Sequence, residues 1–270
     1  MRFKVSASAL YKTTCKSIFK KLVAGMVIHA DETQINLKGT MGYVWTFANA
    51  ENVYYVYASS REANLVQSVL KDFEGVLVSD FYSVYDSLSC PQQKCLLHLI
   101  RDLNDDLIKE PFNDEIRLLA NDFAELLRPI ITTIDRFGLK VRYLSKHKIE
   151  VCRFFRKLAR REYLTESATK WKKRLERNRT KLFTFLDYDN VPWNNNNAEH
   201  AMKAIAELRR SLSGLSTETG IKDYLILLSI QETCKYQGIS FLEFLRSGEK
   251  DLDVFVGRKI WSHQNAPHLH

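Results

Sequence analysis

The sequence predicts an α/β protein in which a small sheet is followed by a long helical insertion. Short runs rich in β-branched and aromatic residues, separated by turn-forming residues, occupy the chain before about residue 101. From there onward strand signals vanish, and apolar residues recur at the spacings of three and four that are typical of helices. The chain has ten Gly and five Pro in 270 residues, which favours long regular elements over a loop-rich fold.

The first part of the chain is predicted to alternate between strands and helices. Amphipathic spacing indicates the helices, and short apolar runs bounded by turns indicate the strands, of which the first three form an antiparallel meander. The predicted elements are helix 7–23, strands 26–31, 43–47 and 53–57, helix 61–73, strand 75–80, a short helix 81–88 and strand 94–98.

The second part is predicted to be helical. The expected helices are 102–137, 139–186, 198–208 (after an Asn-rich break at 191–197 that can cap it) and 221–237. The expected domain division is an N-terminal helix remnant (1–24), the first part of the sheet core (25–101), a basic helical insertion (102–190), the C-terminal helices of the core (191–247) and a flexible tail (248–270).

Composition excludes several classes of protein. Hydrophobic residues make up 45% and charged residues 27%, as in ordinary globular chains and unlike disordered ones. No apolar stretch is long enough to span a membrane, and the start lacks the apolar segment of a secretory signal. Five Cys without a C-x-x-C motif fit reduced thiols, so we expect a cytoplasmic protein.

The positive charge is concentrated in one segment. Residues 136–181 contain 17 Lys or Arg and four acidic residues, whereas the whole chain has a net charge of +8. No Gly or Pro occurs from Leu139 to Val191, and the segment shows helical periodicity, so it predicts helices with a dense cationic face. Such a face is typical of contacts to a nucleic acid backbone, the alternative being the solvated face of a helical hairpin.

Three acidic residues are candidates for metal-dependent chemistry. Asp31 and Asp80 each end an apolar run that reads as a buried strand, and Glu199 begins the helix after the Asn-rich break. Two carboxylates at one sheet edge would repel each other unless a proton or a divalent cation lay between them. Mg²⁺ suits such a pair, and a third acid would complete a two-metal site. The alternatives are strand-end caps for Asp31 and Asp80 and a helix ion pair between Glu199 and Lys203.

Five blocks of sequence match a known family in order. They are HADET (29–33), SDFYSVY (79–85), KCLLHLIR (94–101), NNNNAEH (194–200) and RRSLSGLSTETG (209–220). Each block alone is a weak signal, but their order over most of the chain is specific. The sequence resembles the IS66 family of bacterial insertion-sequence transposases.

This resemblance implies a fold, an activity and a set of partners. The fold would be an RNase H-like mixed sheet flanked by helices, with an all-α insertion before the last catalytic helix. Asp31, Asp80 and Glu199 would form a DDE triad that is catalytic and binds two Mg²⁺ ions, which Mn²⁺ could replace. The reaction would be nicking at transposon ends followed by attack of the freed 3′-hydroxyl on target DNA. The implied partners are double-stranded DNA, a second copy in a synaptic dimer and accessory proteins of the same element.

The DNA contacts are expected in three groups of residues. The resemblance implies phosphate contacts on the helix of Glu199 and substrate-positioning groups in the KCLLHLIR block, and the charge count adds one basic helix. The candidates are Lys203, Arg209 and Arg210; His98 and Arg101; and Lys170, Lys172, Lys173, Arg174 and Arg177.

The sequence departs from the family pattern at several points. Asn194 stands where the family usually has Asp, and His200 stands where it has Arg; a Trp and Arg pair around His98 is also missing. A neutral His would hold phosphate less firmly than Arg. Only about 30 residues precede Asp31, so we expect the family's N-terminal recognition region to be absent. The alternatives to an active transposase are a DNA-binding remnant and an RNase H-like nuclease with another substrate.

Other sites in the sequence are weaker candidates. Cys90, Cys95 and His98 lie close together, but they lack a fourth zinc ligand, and a strand over 94–98 would point Cys95 and His98 in opposite directions. Nucleophilic catalysis by Cys95 with His98 lacks an evident electropositive pocket. Trp171, inside the basic segment, is either a core residue or a platform for stacking on a base.

Overall fold

The chain forms two compact units. A computed structural model describes residues 2–212 and 214–264. The first unit comprises Met1–Phe73 and Asn196–His270, and the second comprises Glu74–Asn195. Strands and helices occur in both, so the predicted mixed α/β class is confirmed.

The first unit contains three strands and seven helices within the described residues. They are β1 (Val27–Leu37), β2 (Thr40–Ala48) and β3 (Val53–Ala58), with α1 (Arg2–Leu10), α2 (Lys12–Val23), α3 (Ala63–Val69), α10 (Asn196–Leu212), α11 (Glu218–Tyr236), α12 (Phe241–Ser247) and α13 (Leu252–Gln264).

The second unit contains two short strands and six α-helices within the described residues. They are β4 (Val76–Ser79) and β5 (Gln92–Lys94), with α4 (Leu96–Lys109), α5 (Asp114–Phe137), α6 (Val141–Leu144), α7 (Lys148–Arg160), α8 (Glu166–Arg177) and α9 (Arg179–Leu182). Short 3-10 helices lie at Ser83–Ser87, Ser145–His147 and Thr184–Leu186.

The strands of the first unit form the predicted antiparallel meander, in the order β3-β2-β1. Directly opposed residues project to the same face, so the register separates two faces. One face carries Ile35 and Val44 and packs on Ala201, Ile205 and Leu208 of α10. Alternation of the strand side chains therefore decides which residues of β1 face α10.

Helix α11 covers the backbone of β3, the outer strand of the meander. The buried Tyr55 N–H donates to Ser229 Oγ at 3.0 Å, and Val53 N–H donates to Thr233 Oγ1 at 3.0 Å. Thr233 Oγ1 also donates to the Val53 carbonyl at 3.2 Å. Two helix hydroxyls thus satisfy backbone groups that an exposed edge strand would leave to water or to another chain.

Strand β1 is longer than predicted. We expected it to end at Asp31, but it continues to Leu37 because Ile35 and Leu37 alternate with exposed residues and enter the core. Asp31 therefore lies inside the strand, opposite Thr46, and the expectation of a strand-end acid is wrong.

The predicted strand over 94–98 is also wrong. Strand β5 ends at Lys94, and α4 begins at Leu96 with Cys95 as its N-cap. The change of direction is fixed by two backbone groups: Leu96 N–H donates to the Trp193 carbonyl at 2.9 Å, and Asn195 N–H donates to Cys95 Sγ at 3.2 Å.

The ends of the chain also differ from expectation. The single helix expected over 7–23 is two helices that meet at Tyr11. The segment expected to be a flexible tail begins with α13, because Leu252 and Phe255 are buried against Phe244 of α12. Residues 265–270 of that segment lie outside the described residues.

The helical insertion is divided more finely than predicted. The helix expected over 102–137 breaks before Asn113, whose Oδ1 caps α5 by accepting from the N–H groups of Glu115 and Ile116. The break between α7 and α8 is held by the Glu115 carboxylate, which accepts from Leu164 N–H at 2.9 Å and Thr165 N–H at 2.7 Å. Of the described helices, none has the length and apolarity that crossing a bilayer requires.

The hydroxyl of Ser229 is predicted to stabilise the edge of the meander. Ser229→Ala leaves the buried Tyr55 N–H without its acceptor, so we expect a loss of about 1–3 kcal/mol in the free energy of unfolding, measured by urea denaturation. Ser68→Ala is the control, because Ser68 Oγ donates only to the Leu65 carbonyl on an exposed helix. Equal stability of the two variants would contradict this role of Ser229.

Candidate functional site

Asp31 projects from one defined face of the meander. It lies opposite Thr46 of β2, so the two side chains share a face with that of Thr33, two residues along β1. Asp31 Oδ1 accepts a hydrogen bond from Glu32 N–H at 2.9 Å. The neighbouring Glu32 alternates to the opposite face, where its carboxylate pairs with Arg61.

Helix α10, which carries Glu199, packs on the face of Asp31. Thr46 Oγ1 donates to Met202 Sδ at 3.5 Å, and Arg209 Nη1 donates to Thr33 Oγ1 at 3.1 Å. Glu199 lies three residues before Met202, about one helical turn nearer the start of α10. The first unit therefore brings together the strand and the helix that bear two of the three predicted acids.

Two tyrosine hydroxyls hold the start of α10. Tyr55 donates to the Ala201 carbonyl at 2.7 Å, and Tyr236 donates to the Asn197 carbonyl at 3.2 Å. Burial, followed by the charge of Glu232, raises the pKa of Tyr236 to about 12, and burial likewise raises the pKa of Tyr55. Both hydroxyls therefore remain protonated donors at neutral pH, and they fix α10 on either side of Glu199.

His200 has a packing partner in the structure. Its ring meets that of Tyr236 edge-on, with 6.0 Å between the centroids. The residue that departs from the family pattern thus contacts one of the two tyrosines that hold α10.

The predicted cations of α10 are exposed. Lys203, Arg209 and Arg210 lie along this helix, and Arg209 reaches back to Thr33 of β1. A pocket of about 410 Å³ opens beside the second half of α10, lined by Ile35, Asn36, Ala206, Arg209, Arg210 and Gly214. Two guanidinium groups at such an opening can hold phosphate oxygens.

Asp80 directly follows β4 in the second unit, as predicted. Its Oδ1 accepts from Tyr82 N–H at 2.9 Å, which turns the chain sharply after the strand. Strand β5 runs parallel to β4 and places Lys94 beside Ser79, the residue before Asp80. The carboxylate thus lies at the end of a strand whose neighbour ends in a cation.

Lys94 is a buried cation that sequence reasoning did not identify. Its side chain is 1% exposed, and its Nζ lies 3.2 Å from Ser79 Oγ, 3.7 Å from Asp86 Oδ1 and 5.4 Å from the centre of the Tyr85 ring. Burial lowers the pKa of the Lys94 ammonium to about 8, although the charges of Asp86 and Asp80 oppose that shift. The strand Gln92-Gln93-Lys94 is polar throughout, so hydrophobic patterning gave no signal of its burial.

His98 and Arg101 lie on α4 in the second unit. Their separation of three residues places them on one side of the helix. Cys95 occupies the N-cap position of the same helix, three residues before His98, so these side chains do not alternate as they would in a strand. The expectation that a strand would point Cys95 and His98 in opposite directions is therefore wrong.

Most of the predicted α8 cations have partners within the protein. Lys170 pairs with Glu166 at 2.8 Å, and Arg177 lies 3.6 Å from Asp86. Arg174 pairs with Asp102 at 2.6 Å, and Lys172 Nζ donates to two carbonyls at the end of α7. Lys173 is exposed.

Trp171 is a core residue. It is 4% exposed, and its Nε1 donates to Asp106 Oδ2 at 3.0 Å. The guanidinium of Arg174 lies 4.9 Å from its ring. A ring so enclosed offers no face to a base, so the stacking alternative is wrong.

A family comparison agrees with the blocks found in the sequence. The model described as Transposase IS66 family matches residues 3–223. The chain belongs to the IS66 transposase family. The match spans β1, β4 and α10 with their acidic residues, and it confirms the predicted resemblance. No curated protein and no solved structure is significantly similar to the chain.

Membership gives the chain a general function. Transposases process DNA, so the family implies a DNA-processing enzyme that binds DNA. Exposed arginines on α10 and the basic helices of the second unit are consistent with such a partner.

Burial of Lys94 is predicted to make the free energy of unfolding depend on pH. Because burial lowers the pKa of Lys94 from 10.5 to about 8, the unfolded chain binds more protons between these values. The free energy of unfolding of the wild type, relative to Lys94→Met, should therefore rise with pH from about 8 to 10.5, on the order of 1 kcal/mol per pH unit.

Chemical denaturation across this pH range, without divalent metal, measures the difference. Lys71→Met is the matched control, because Lys71 is exposed. Its difference from the wild type should stay constant with pH. A flat difference for Lys94→Met as well would show that the Lys94 ammonium is not destabilised by burial.

Proposed function

We propose that the chain is a DDE transposase that nicks DNA and joins the freed 3′-hydroxyl to target DNA. Asp31, Asp80 and Glu199 would be its catalytic carboxylates. The observation that carries the proposal is the packing of α10 on the face of β1 that bears Asp31. In this proposal the RNase H-like core comprises residues 25–101 and 191–247, and residues 102–190 are its insertion.

The proposed ligands suit Mg²⁺ and its substitute Mn²⁺. All three are carboxylates, and hard divalent cations prefer carboxylate oxygens together with substrate phosphates. Asp80 accepts Tyr82 N–H through Oδ1, and Asp31 accepts Glu32 N–H through Oδ1; each bond orients its carboxylate. When bound, the ions would activate the attacking oxygen and neutralise charge on the leaving oxygen.

The remaining side chains would position the DNA. Lys203, Arg209 and Arg210 on α10 would contact phosphate groups, and the bond from Arg209 to Thr33 directs its guanidinium toward β1. His98 and Arg101 would position the substrate from α4. Tyr55 and Tyr236 would act indirectly, because their hydroxyls set the position of α10 and hence that of Glu199.

The proposed reaction sets the partners. Joining two transposon ends to one target calls for two active sites, so we propose a homodimer in the synaptic complex, assisted by proteins of the same element. Double-stranded DNA would be both the cleaved and the receiving substrate. We place this reaction in the cytoplasm.

Removing any one of the three carboxylates is predicted to abolish catalysis. Asp31→Asn, Asp80→Asn and Glu199→Gln each remove a negative charge that would hold the metal, so we expect a loss of at least about 1,000-fold in Mg²⁺-dependent strand transfer. The assay uses pre-cut oligonucleotide ends and a supercoiled target, and DNA binding in EDTA is measured for the same variants and should be retained.

Glu207→Gln is the control, because it removes an exposed carboxylate from the same helix as Glu199. Its strand transfer should match the wild type. Full activity of any of the three main variants would exclude that residue as a metal ligand. Cleavage without joining by the wild type would favour the nuclease alternative, and DNA binding without cleavage would favour the remnant.

A further inference from the structure

Helix α7 carries a compact cationic surface that the sequence candidates did not include. Four basic residues of α7 and the basic residue that directly follows the helix line a groove of about 510 Å³. They are Arg153, Arg156, Lys157, Arg160 and Arg161. This set is called the α7 surface below.

The opposite side of α7 is apolar and buried. Phe154, Phe155 and Leu158 pack into the core of the second unit, and the rings of Phe154 and Phe123 lie 5.8 Å apart. This packing fixes the rotation of α7 and turns its basic residues outward. Core packing therefore keeps the cationic side of α7 exposed to solvent.

The charges of the α7 surface are only partly neutralised. Arg153 pairs with Glu150 at 2.7 Å, whereas Lys157 and Arg161 share Asp122 at 2.7 and 2.9 Å. These carboxylates hold three of the five cations in place. Two acids against five cations leave the surface strongly positive.

Arg156 and Arg160 are the two cations of this surface that have no ion-pair or hydrogen-bond partner among the described residues. Both are exposed, and they lie four residues apart, on one side of the helix. Together with Arg153 they extend over about 10 Å of helix. Their guanidinium groups can each bind a phosphate through two parallel N–H donors.

Two of the predicted cations of α8 have partners within the second unit. Lys172 Nζ donates to the carbonyls of Ala159 and Arg161 at 2.9 and 2.8 Å, so it caps the end of α7. Arg174 pairs with Asp102 and lies 4.5 Å from the Phe81 ring. These contacts stabilise the helices of the second unit.

We propose that the α7 surface binds the phosphate backbone of double-stranded DNA. The inference rests on the proposed function, because it names the part of the insertion that holds the DNA substrate. An anionic membrane fits less well, since the large apolar residues of α7 are mostly buried in the core and unavailable to enter a bilayer. Contacts to phosphate alone predict binding that depends little on sequence and strongly on salt.

The test is DNA binding by the full-length chain in EDTA, where no cleavage interferes. The probe is a fluorescent 40-base-pair duplex of arbitrary sequence, titrated at several KCl concentrations. We expect the double variant Arg156→Gln, Arg160→Gln to bind DNA more weakly, on the order of 10- to 100-fold. The negative slope of log affinity against log salt concentration should become shallower by about 2.

Lys12→Gln with Lys16→Gln is the matched control. Lys12 and Lys16 are also exposed cations four residues apart on one helix, α2, so the double change removes the same charge elsewhere. Its affinity and salt slope should stay close to those of the wild type. Thermal unfolding of both double variants checks that the fold is unchanged.

Cys152 provides a second readout at the same place. It is an exposed thiol on α7, four residues before Arg156, whereas Cys15, Cys90, Cys95 and Cys234 are buried. Bound duplex should slow alkylation of Cys152 by a maleimide in the wild type. The protection should be lost in the Arg156→Gln, Arg160→Gln variant.

The outcomes separate this inference from the proposed function. Unchanged DNA affinity and salt slope in the α7 variant would overturn the inference even if strand transfer by the wild type is intact. If the α7 variant lost binding to phosphatidylserine vesicles but kept its DNA binding, the inference would be overturned in favour of a membrane surface as the partner. Failure of the wild type to bind any duplex would overturn both the inference and the proposed function.

Discussion

The packing of α10 on the antiparallel meander is the constraint on which the account of the first unit depends. Ala201, Ile205 and Leu208 fill the same core as Ile35 and Val44, so a one-residue slip of β1 would replace apolar contacts with polar ones. The same alternation decides that Asp31 faces α10 and Glu32 faces away. Core packing therefore fixes the orientation of a catalytic candidate that itself contributes little to the core.

Polar groups that are wholly or partly buried also fix the positions of elements in both units. Tyr55 and Tyr236 bind backbone carbonyls of α10, and Ser229 and Thr233 bind the edge of β3. In the second unit the ammonium of Lys94 lies beside Ser79, next to Asp80. These bonds restrict the positions of the elements that carry the acids, at the cost of burying groups that must stay partnered.

Local patterns predicted the meander, the strand before Asp80 and the helix after the Asn-rich break. They failed where tertiary contacts decide the structure. Strand β1 continues past Asp31 because Ile35 and Leu37 reach the core, and α4 starts early because Trp193 and Asn195 bind its first turn. The sequence also located the basic segment. It could not show that Glu166 and Asp102 form ion pairs with cations of α8, whereas Arg156 and Arg160 of α7 are exposed and available to bind phosphate.

The central claim is that Asp31, Asp80 and Glu199 hold the same divalent ions. Crystals of the full chain grown with Mn²⁺ and an oligonucleotide, examined by anomalous diffraction at the manganese edge, test it most directly. The account predicts one or two manganese peaks within about 2.5 Å of oxygens from all three carboxylates. Manganese bound elsewhere, or bound without one of the three, would contradict it.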